Sequence, residues 1–220
     1  MDTYYQGEGA QLYDQRHQHF TKRTLESTLA ALDVKALADH AGRQQHVPRL
    51  LDMACGTGIL LSFLQERIPS AELFGIDGSQ DMLALAHKRL AGAPHLQLEH
   101  VVVGPHAPAE LPFPAESFDL ITCTNTLHAM PDPEVLLTTL HRLLVPGGQL
   151  LLEDFVWRAP SFSWGFLTRL ARRVGAGSLH PYTLAQARFL REQAGLSIVH
   201  AHAFVIDWLL CGWVISIVKQ

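Results

Sequence analysis

Cysteines are few in this chain, basic runs are missing, and no apolar stretch is long. Each absence removes a class of function. The cysteines are three, Cys55, Cys123 and Cys211, in 220 residues. They form no C-x-x-C pair and leave an odd count. A disulfide framework and a dithiol site are therefore not indicated, and a reducing, cytoplasmic setting fits best. The 13 histidines scatter without the Cys/His spacing of a zinc site, so no metal is expected. Charged residues make up 17%, with 17 basic against 21 acidic side chains and a net charge of −4. Without a Lys/Arg block the long-range attraction that drives nucleic-acid binding is missing, which argues against RNA or DNA as the main partner. The opening "MDTYYQGEGAQLYDQ" has neither the basic start nor the apolar core of a signal peptide. The most apolar tract, "FVIDWLLCGWVISIV", is 15 residues long and broken by Asp207. A membrane span needs about 20 such residues, so none is expected and the tract reads as two strands.

What is present is a hydrophobic fraction of 48%, enough for one globular domain with a full core over residues 1–220. From residue 49 onward, strand-like and helix-like segments alternate, the mark of a parallel α/β sheet. Strands are expected at 49–53, 72–77 ("ELFGID"), 96–103 ("LQLEHVVV"), 118–124 ("FDLITCT") and 149–155 ("QLLLEDF"). Two more, at 196–206 and 209–218, are close enough in sequence to pair antiparallel. Helices are expected at 58–68 and after Ser79, which can cap a segment whose Met82, Leu83, Ala86 and Leu90 share a face. A further helix starts at Asp132–Pro133, with Leu136, Leu137, Leu140, Leu143 and Leu144 as its buried stripe. Thr183 and Gln186 match a capping box.

Two segments stand outside this alternation. Residues 1–45 form an N-terminal helical cap of one or two helices, in which Tyr13, His17 and Phe20 fall at i, i+4 and i+7 and share a face. Residues 156–182 form a cap insertion carrying Trp157, Phe162, Trp164, Phe166, His180 and Tyr182, with the Gly-rich "VGAGS" at 174–178 as a hinge.

The chemistry-bearing stretch is "LLDMACGTGIL" at 50–60. Gly56 and Gly58 let the backbone turn tightly after a first strand and admit a ligand closely. Asp77 stands 19 residues beyond Gly58, at the end of the second strand, where a carboxylate accepts hydrogen bonds from ribose hydroxyls. A dinucleotide site wants G-x-G-x-x-G, and Leu61 holds the third glycine position, so NAD is not indicated.

The D-x-x-x-G-x-G spacing of Asp52, Gly56 and Gly58 resembles the first motif of class I S-adenosylmethionine-dependent methyltransferases. "LFGIDGSQDML", "ELPFPAESFDLITC", "TLHAMPDPEVLL" and "LLVPGGQLLLED" are similar to that family's following segments, in order, from Leu50 to about Lys219. The resemblance implies a Rossmann-like, seven-stranded, mostly parallel sheet with helices on both faces and an antiparallel last strand. It implies S-adenosyl-L-methionine as cofactor. Asp52, Ala54, Gly56, Thr57 and Gly58 would surround the methionine part, and Tyr13 would close over it. Asp77 would take the ribose, with Gly78, Ser79 and Met82 lining the adenosine side. Thr124, Asn125 and His128 would face the sulfonium and the acceptor. The family's acid that bonds the adenine amine is replaced by Ala107 and Pro108, leaving His106 or a backbone carbonyl for that role.

The expected activity is methyl transfer to the oxygen, nitrogen or carbon of a small, mostly apolar or aromatic metabolite, of polyketide, terpene or quinone type. His128 is the first choice as catalytic base, with His17 and His180 behind it. Cys55 reads as a small buried residue rather than a nucleophile. Of Glu153 and Asp154, one should face solvent and the other the pocket. Two alternatives stay open: a cofactor-binding fold that catalyses a non-methylating rearrangement, and a macromolecular methyltransferase. A homodimer is allowed.

Overall fold

The computed structural model describes residues 5–103, 111–130, 132–157, 182–187 and 197–220. Seven strands form one sheet: β1 (Arg49–Met53), β2 (Glu72–Asp77), β3 (Leu96–His100), β4 (Phe118–Thr124), β5 (Leu144–Trp157), β6 (Ser197–Val205) and β7 (Leu210–Val218). Their order is β3-β2-β1-β4-β5-β7-β6, with β7 antiparallel to both its neighbours and β1 to β5 parallel. The expected fold class is what the sheet shows. The order reverses between β1 and β4, which leaves a crevice beyond the carboxyl ends of those strands.

Alternation along β1 divides the core. Leu51 and Met53 join Phe118, Ile121, Leu137 and Trp213 on one face, while Leu50 joins Leu61, Leu64, Leu73 and Leu120 on the other. Both faces being covered explains why β4 is buried at six of its seven positions. Helices α4 (Ile59–Arg67), α5 (Gln80–Arg89) and α6 (Pro133–Leu143) connect the strands. Ser79 caps α5 by accepting from the Met82 N–H, and Asp132 caps α6 by accepting from the Val135 N–H. The Thr183–Gln186 box closes reciprocally, each side chain bonding the other residue's backbone N–H.

Several boundaries differ from expectation. Three helices precede the sheet: α1 (Gly7–Arg16), α2 (Gln18–Ala31) and α3 (Val34–Gln44). The chain breaks at His17 (φ −107°, ψ 12°), so Tyr13, His17 and Phe20 do not share one helical face. β3 ends at His100; of the expected tail, Val102 is exposed while Val101 and Val103 pack partly against the core. β5 starts at Leu144 and carries the Pro-Gly-Gly segment as an irregularity, because Leu144 already pairs with Phe118. It also runs on to Trp157 beside β7, so Val156 and Trp157 are strand residues and not the start of the connection. His106, His180, Tyr4, Phe162, Trp164, Phe166 and the 174–178 hinge lie outside the described residues. Among the described residues, no helix is long and apolar enough to cross a membrane.

Candidate active site

The turn after β1 is shaped by left-handed backbone. Ala54 (φ 58°), Gly56 (φ 53°) and Gly58 (φ 75°) all have positive φ. At Ala54 this costs roughly 1–2 kcal/mol, a strain concentrated where the strand must give way to a ligand-facing loop. Backbone bonds fix the turn: the Cys55 N–H donates to the Ile76 carbonyl at 3.0 Å and the Gly58 N–H to the Cys55 carbonyl at 2.9 Å. A Cβ on Gly58 would stand 3.0 Å from the Ala86 Cβ, so this glycine lets the turn pack on α5. It is not among the cavity's lining residues.

At the end of β2, Asp77 accepts from the Gly56 N–H and the Ser79 N–H, both at 2.8 Å. Burial raises its carboxyl above the ordinary range, outweighing these donors. Asp52, also buried, accepts from the Thr122 hydroxyl at 2.7 Å. Burial pushes its carboxyl up to about 7, with Thr122 opposing and Asp77 adding to the rise. Cys55 is no thiolate, since burial and the nearby Asp52 and Asp77 hold its thiol far above the ordinary range.

These residues form one wall of a cavity of about 260 Å³. Asp52, Ala54, Gly56, Thr57, Asp77, Gly78 and Met82 all line it, while Ser79 caps α5 and gives its hydroxyl to the Tyr5 carbonyl at 2.5 Å.

The opposite wall follows β4 and β5. Thr124 leads into Asn125 (φ 51°), whose N–H donates to the Glu153 carbonyl at 2.9 Å and whose Oδ1 is buried without a partner among the described residues. A 3₁₀ turn, Leu127–Ala129, then presents His128. Asp154, fully buried, grips this residue twice: Oδ2 accepts the His128 N–H at 2.7 Å and Oδ1 lies 2.8 Å from Nδ1. A carboxylate at that distance requires Nδ1 to carry the proton, which leaves the lone pair of a neutral ring on Nε2. Asp154 and Glu153 are both buried, so neither faces solvent. The His128 ring packs 4.7 Å from that of Phe155, which meets Phe20 edge-on at 5.2 Å.

Helices α1 and α2 and the residue Tyr5 before them form the roof, the helices contributing Tyr13, Phe20, Thr21 and Thr24. A latch absent from the sequence reading holds α1 down. The Thr57 hydroxyl donates to Asp14 Oδ1 at 2.8 Å, and Arg89 bonds Asp14, the Thr57 carbonyl and the Thr57 hydroxyl. The Gly7 N–H adds a bond to Asp81 at 2.7 Å. His17 does not line the cavity: its ring stacks on Tyr13 at 4.7 Å and Nδ1 donates to the Tyr13 carbonyl at 2.9 Å. The break at His17 turns the ring back along α1. His106 lies outside the described residues, so the adenine contact it was assigned is not described.

Among the described lining residues there are three carboxyls, Asp52, Asp77 and Glu153, and no Lys or Arg. Such a wall suits a cationic nucleoside and has nothing to neutralise a pyrophosphate. Leu61, where a dinucleotide site needs glycine, is fully buried core. Asp52, beside the turn after β1, and Asp77, at the end of β2, are the two acids on this wall.

The comparisons agree. Residues 51–150 match the family model of a methyltransferase domain. The demethylmenaquinone methyltransferase of Lysinibacillus sphaericus is 35% identical over 175 residues, covering 71% of this chain and 73% of that protein. The trans-aconitate 2-methyltransferase of an Acidovorax strain is 33% identical over 128 residues, or 58% of this chain and 45% of that one. Against several other curated relatives the chain spans a little under half of their length. Among solved structures, a Haemonchus contortus phosphoethanolamine N-methyltransferase complexed with S-adenosylhomocysteine shares the fold at a TM-score of 0.63. It is 16% identical, with 79% of this chain and 49% of that one covered. With the glycine turn and the sheet order, these matches place the chain in the class I S-adenosylmethionine-dependent methyltransferases.

Proposed function

We propose that the chain methylates a small, largely apolar aromatic molecule bearing a hydroxyl, of phenol or hydroquinone type, with His128 as the base. The observation that carries this reading is His128 on the cavity wall, held from behind by Asp154. The cofactor supplies an electrophilic methyl group on a sulfonium and leaves as a neutral thioether. The chain's own work is to orient the acceptor, exclude water and accept a proton. Asp154 holds Nδ1–H, so Nε2 is the atom that takes the acceptor's hydroxyl proton, and the carboxylate stabilises the imidazolium that forms. Phe20, on the cavity wall and backed by Phe155, offers a ring for a flat ligand.

The roof of α1 and α2 excludes water, with Asp14–Thr57–Arg89 as its fastening. The relatives named above for demethylmenaquinone and trans-aconitate both have small-molecule names, and the first supports an aromatic acceptor.

The test is incubation with methyl-labelled S-adenosylmethionine and, separately, 1,4-naphthohydroquinone, trans-aconitate and phosphoethanolamine. Label should enter the hydroquinone, with equimolar release of S-adenosylhomocysteine. Label entering only one of the other two would replace this reading.

A further inference from the structure

Glu153, within β5, has 1% of its surface exposed, and neither carboxyl oxygen has a hydrogen-bond partner among the described residues. It lines the cavity. The other carboxylates near it are all engaged: Asp52 by Thr122, Asp77 by two backbone N–H groups, Asp154 by His128. A buried polar group without a partner is costly to the fold, so one kept on a cavity wall points to a ligand that supplies the missing bond. Burial, and then the neighbouring Asp154, raise its carboxyl well above the ordinary range. The neutral acid so favoured both donates and accepts hydrogen bonds.

Its position says which ligand. The strands run β2, β1, β4, β5 as successive neighbours. At about 4.8 Å per strand, Glu153 lies roughly 14 Å across the sheet from Asp77. The two acids mark opposite ends of the cavity, and Glu153 shares its end with His128. Asn125, whose backbone N–H bonds the Glu153 carbonyl, adds a second orphaned atom there, its Oδ1.

We propose that Glu153 recognises the methyl acceptor, exchanging hydrogen bonds with an acceptor hydroxyl and rejecting acceptors that carry a carboxylate at that point. The proposal rests on the reading of the cavity as a methyl-transfer site for a hydroxylated aromatic. A carboxylate there would have to be buried as a charge beside other acidic side chains, with no Lys or Arg among the described lining to offset it. Trans-aconitate, the substrate in one relative's name, is thereby disfavoured here.

Three probes with one ring separate the outcomes: 1-naphthol, 1-methylnaphthalene and 1-naphthoate, each titrated calorimetrically into protein saturated with S-adenosylhomocysteine. The wild type should bind 1-naphthol about ten-fold or more tighter than either of the others. Glu153→Leu should bind 1-naphthol and 1-methylnaphthalene alike. Glu153→Gln should keep most of the 1-naphthol affinity, since the amide still donates and accepts. S-adenosylhomocysteine affinity should be unchanged in both variants, which also reports that they fold. Binding of 1-naphthoate as tightly as 1-naphthol, or a preference for 1-naphthol that survives in Glu153→Leu, overturns the role of Glu153 alone. Loss of nucleoside and probe binding together in both variants makes Glu153 structural and overturns it too. If the loaded wild type binds none of the three, the hydroxylated-aromatic reading falls and this proposal with it.

Discussion

At the β1–β2 end of the cavity the carboxylates are tied down, Asp52 by a hydroxyl and Asp77 by two N–H groups. At the β4–β5 end Glu153 and the Asn125 Oδ1 are buried with no partner among the described residues, while Asp154 is engaged by His128. The first end is preorganised for one constant ligand, whose polar groups meet dipoles already aimed. The second leaves valences open and combines them with one oriented base. Binding and turnover should therefore be separable by mutation, the first sensitive at one end and the second at the other.

The largest effect should come from the base. His128→Ala should lower turnover by about 10²–10⁴-fold, read as product formed per enzyme at saturating cofactor. Truncation of α1 comes next. Removing residues 1–16 leaves every strand intact but deletes Tyr5, Tyr13 and Asp14 from the roof, so methyl transfer should fall about 10²-fold while thermal unfolding stays cooperative. A truncated protein working at the full-length rate would show that the roof is packing only.

At the other end, Asp77→Ala should weaken S-adenosylmethionine binding by roughly 1.5–3 kcal/mol through loss of charge-assisted bonds, measured by calorimetry. The smallest effect is a pH dependence. The Asp52 carboxyl is raised from 3.8 to about 7, chiefly by burial, so the folded state holds a proton more readily than the unfolded chain. Its contribution to stability is complete below the unfolded value and is lost as pH rises through about 7. Ionised Asp52 attracts a cation, so the affinity of S-adenosylmethionine relative to uncharged-sulfur S-adenosylhomocysteine should rise from about pH 6 to about pH 8. Asp52→Asn should flatten that ratio.

The contrast between the ends also marks how far the sequence could be read. Ser79, Asp132 and the Thr183–Gln186 box are local signals, each complete within four residues, and their helices start where they indicate. The Gly56–Gly58 turn and Asp77 follow one βαβ unit with a fixed spacing, so the nucleoside end could be anticipated. The acceptor end and the roof depend on contacts that no local pattern encodes. His128 meets Asp154 across 26 residues, and Asp14 meets Arg89 across 75. The break at His17 has no Gly or Pro to announce it; it follows from α1 being held to α5 while α2 packs on β5 and β7. The extension of β5 back to Leu144 is set by pairing with Phe118, not by its own residues.

The most direct test places both ends in one experiment: calorimetric S-adenosylmethionine affinity and single-turnover methyl transfer to 1,4-naphthohydroquinone, measured for wild type, Asp77→Ala and His128→Ala. Asp77→Ala should lose affinity and recover most of its transfer rate at saturating cofactor. His128→Ala should keep wild-type affinity within about two-fold and lose the transfer step. If His128→Ala loses cofactor affinity in proportion to its rate, the histidine is part of the nucleoside site and the division between the two ends is wrong.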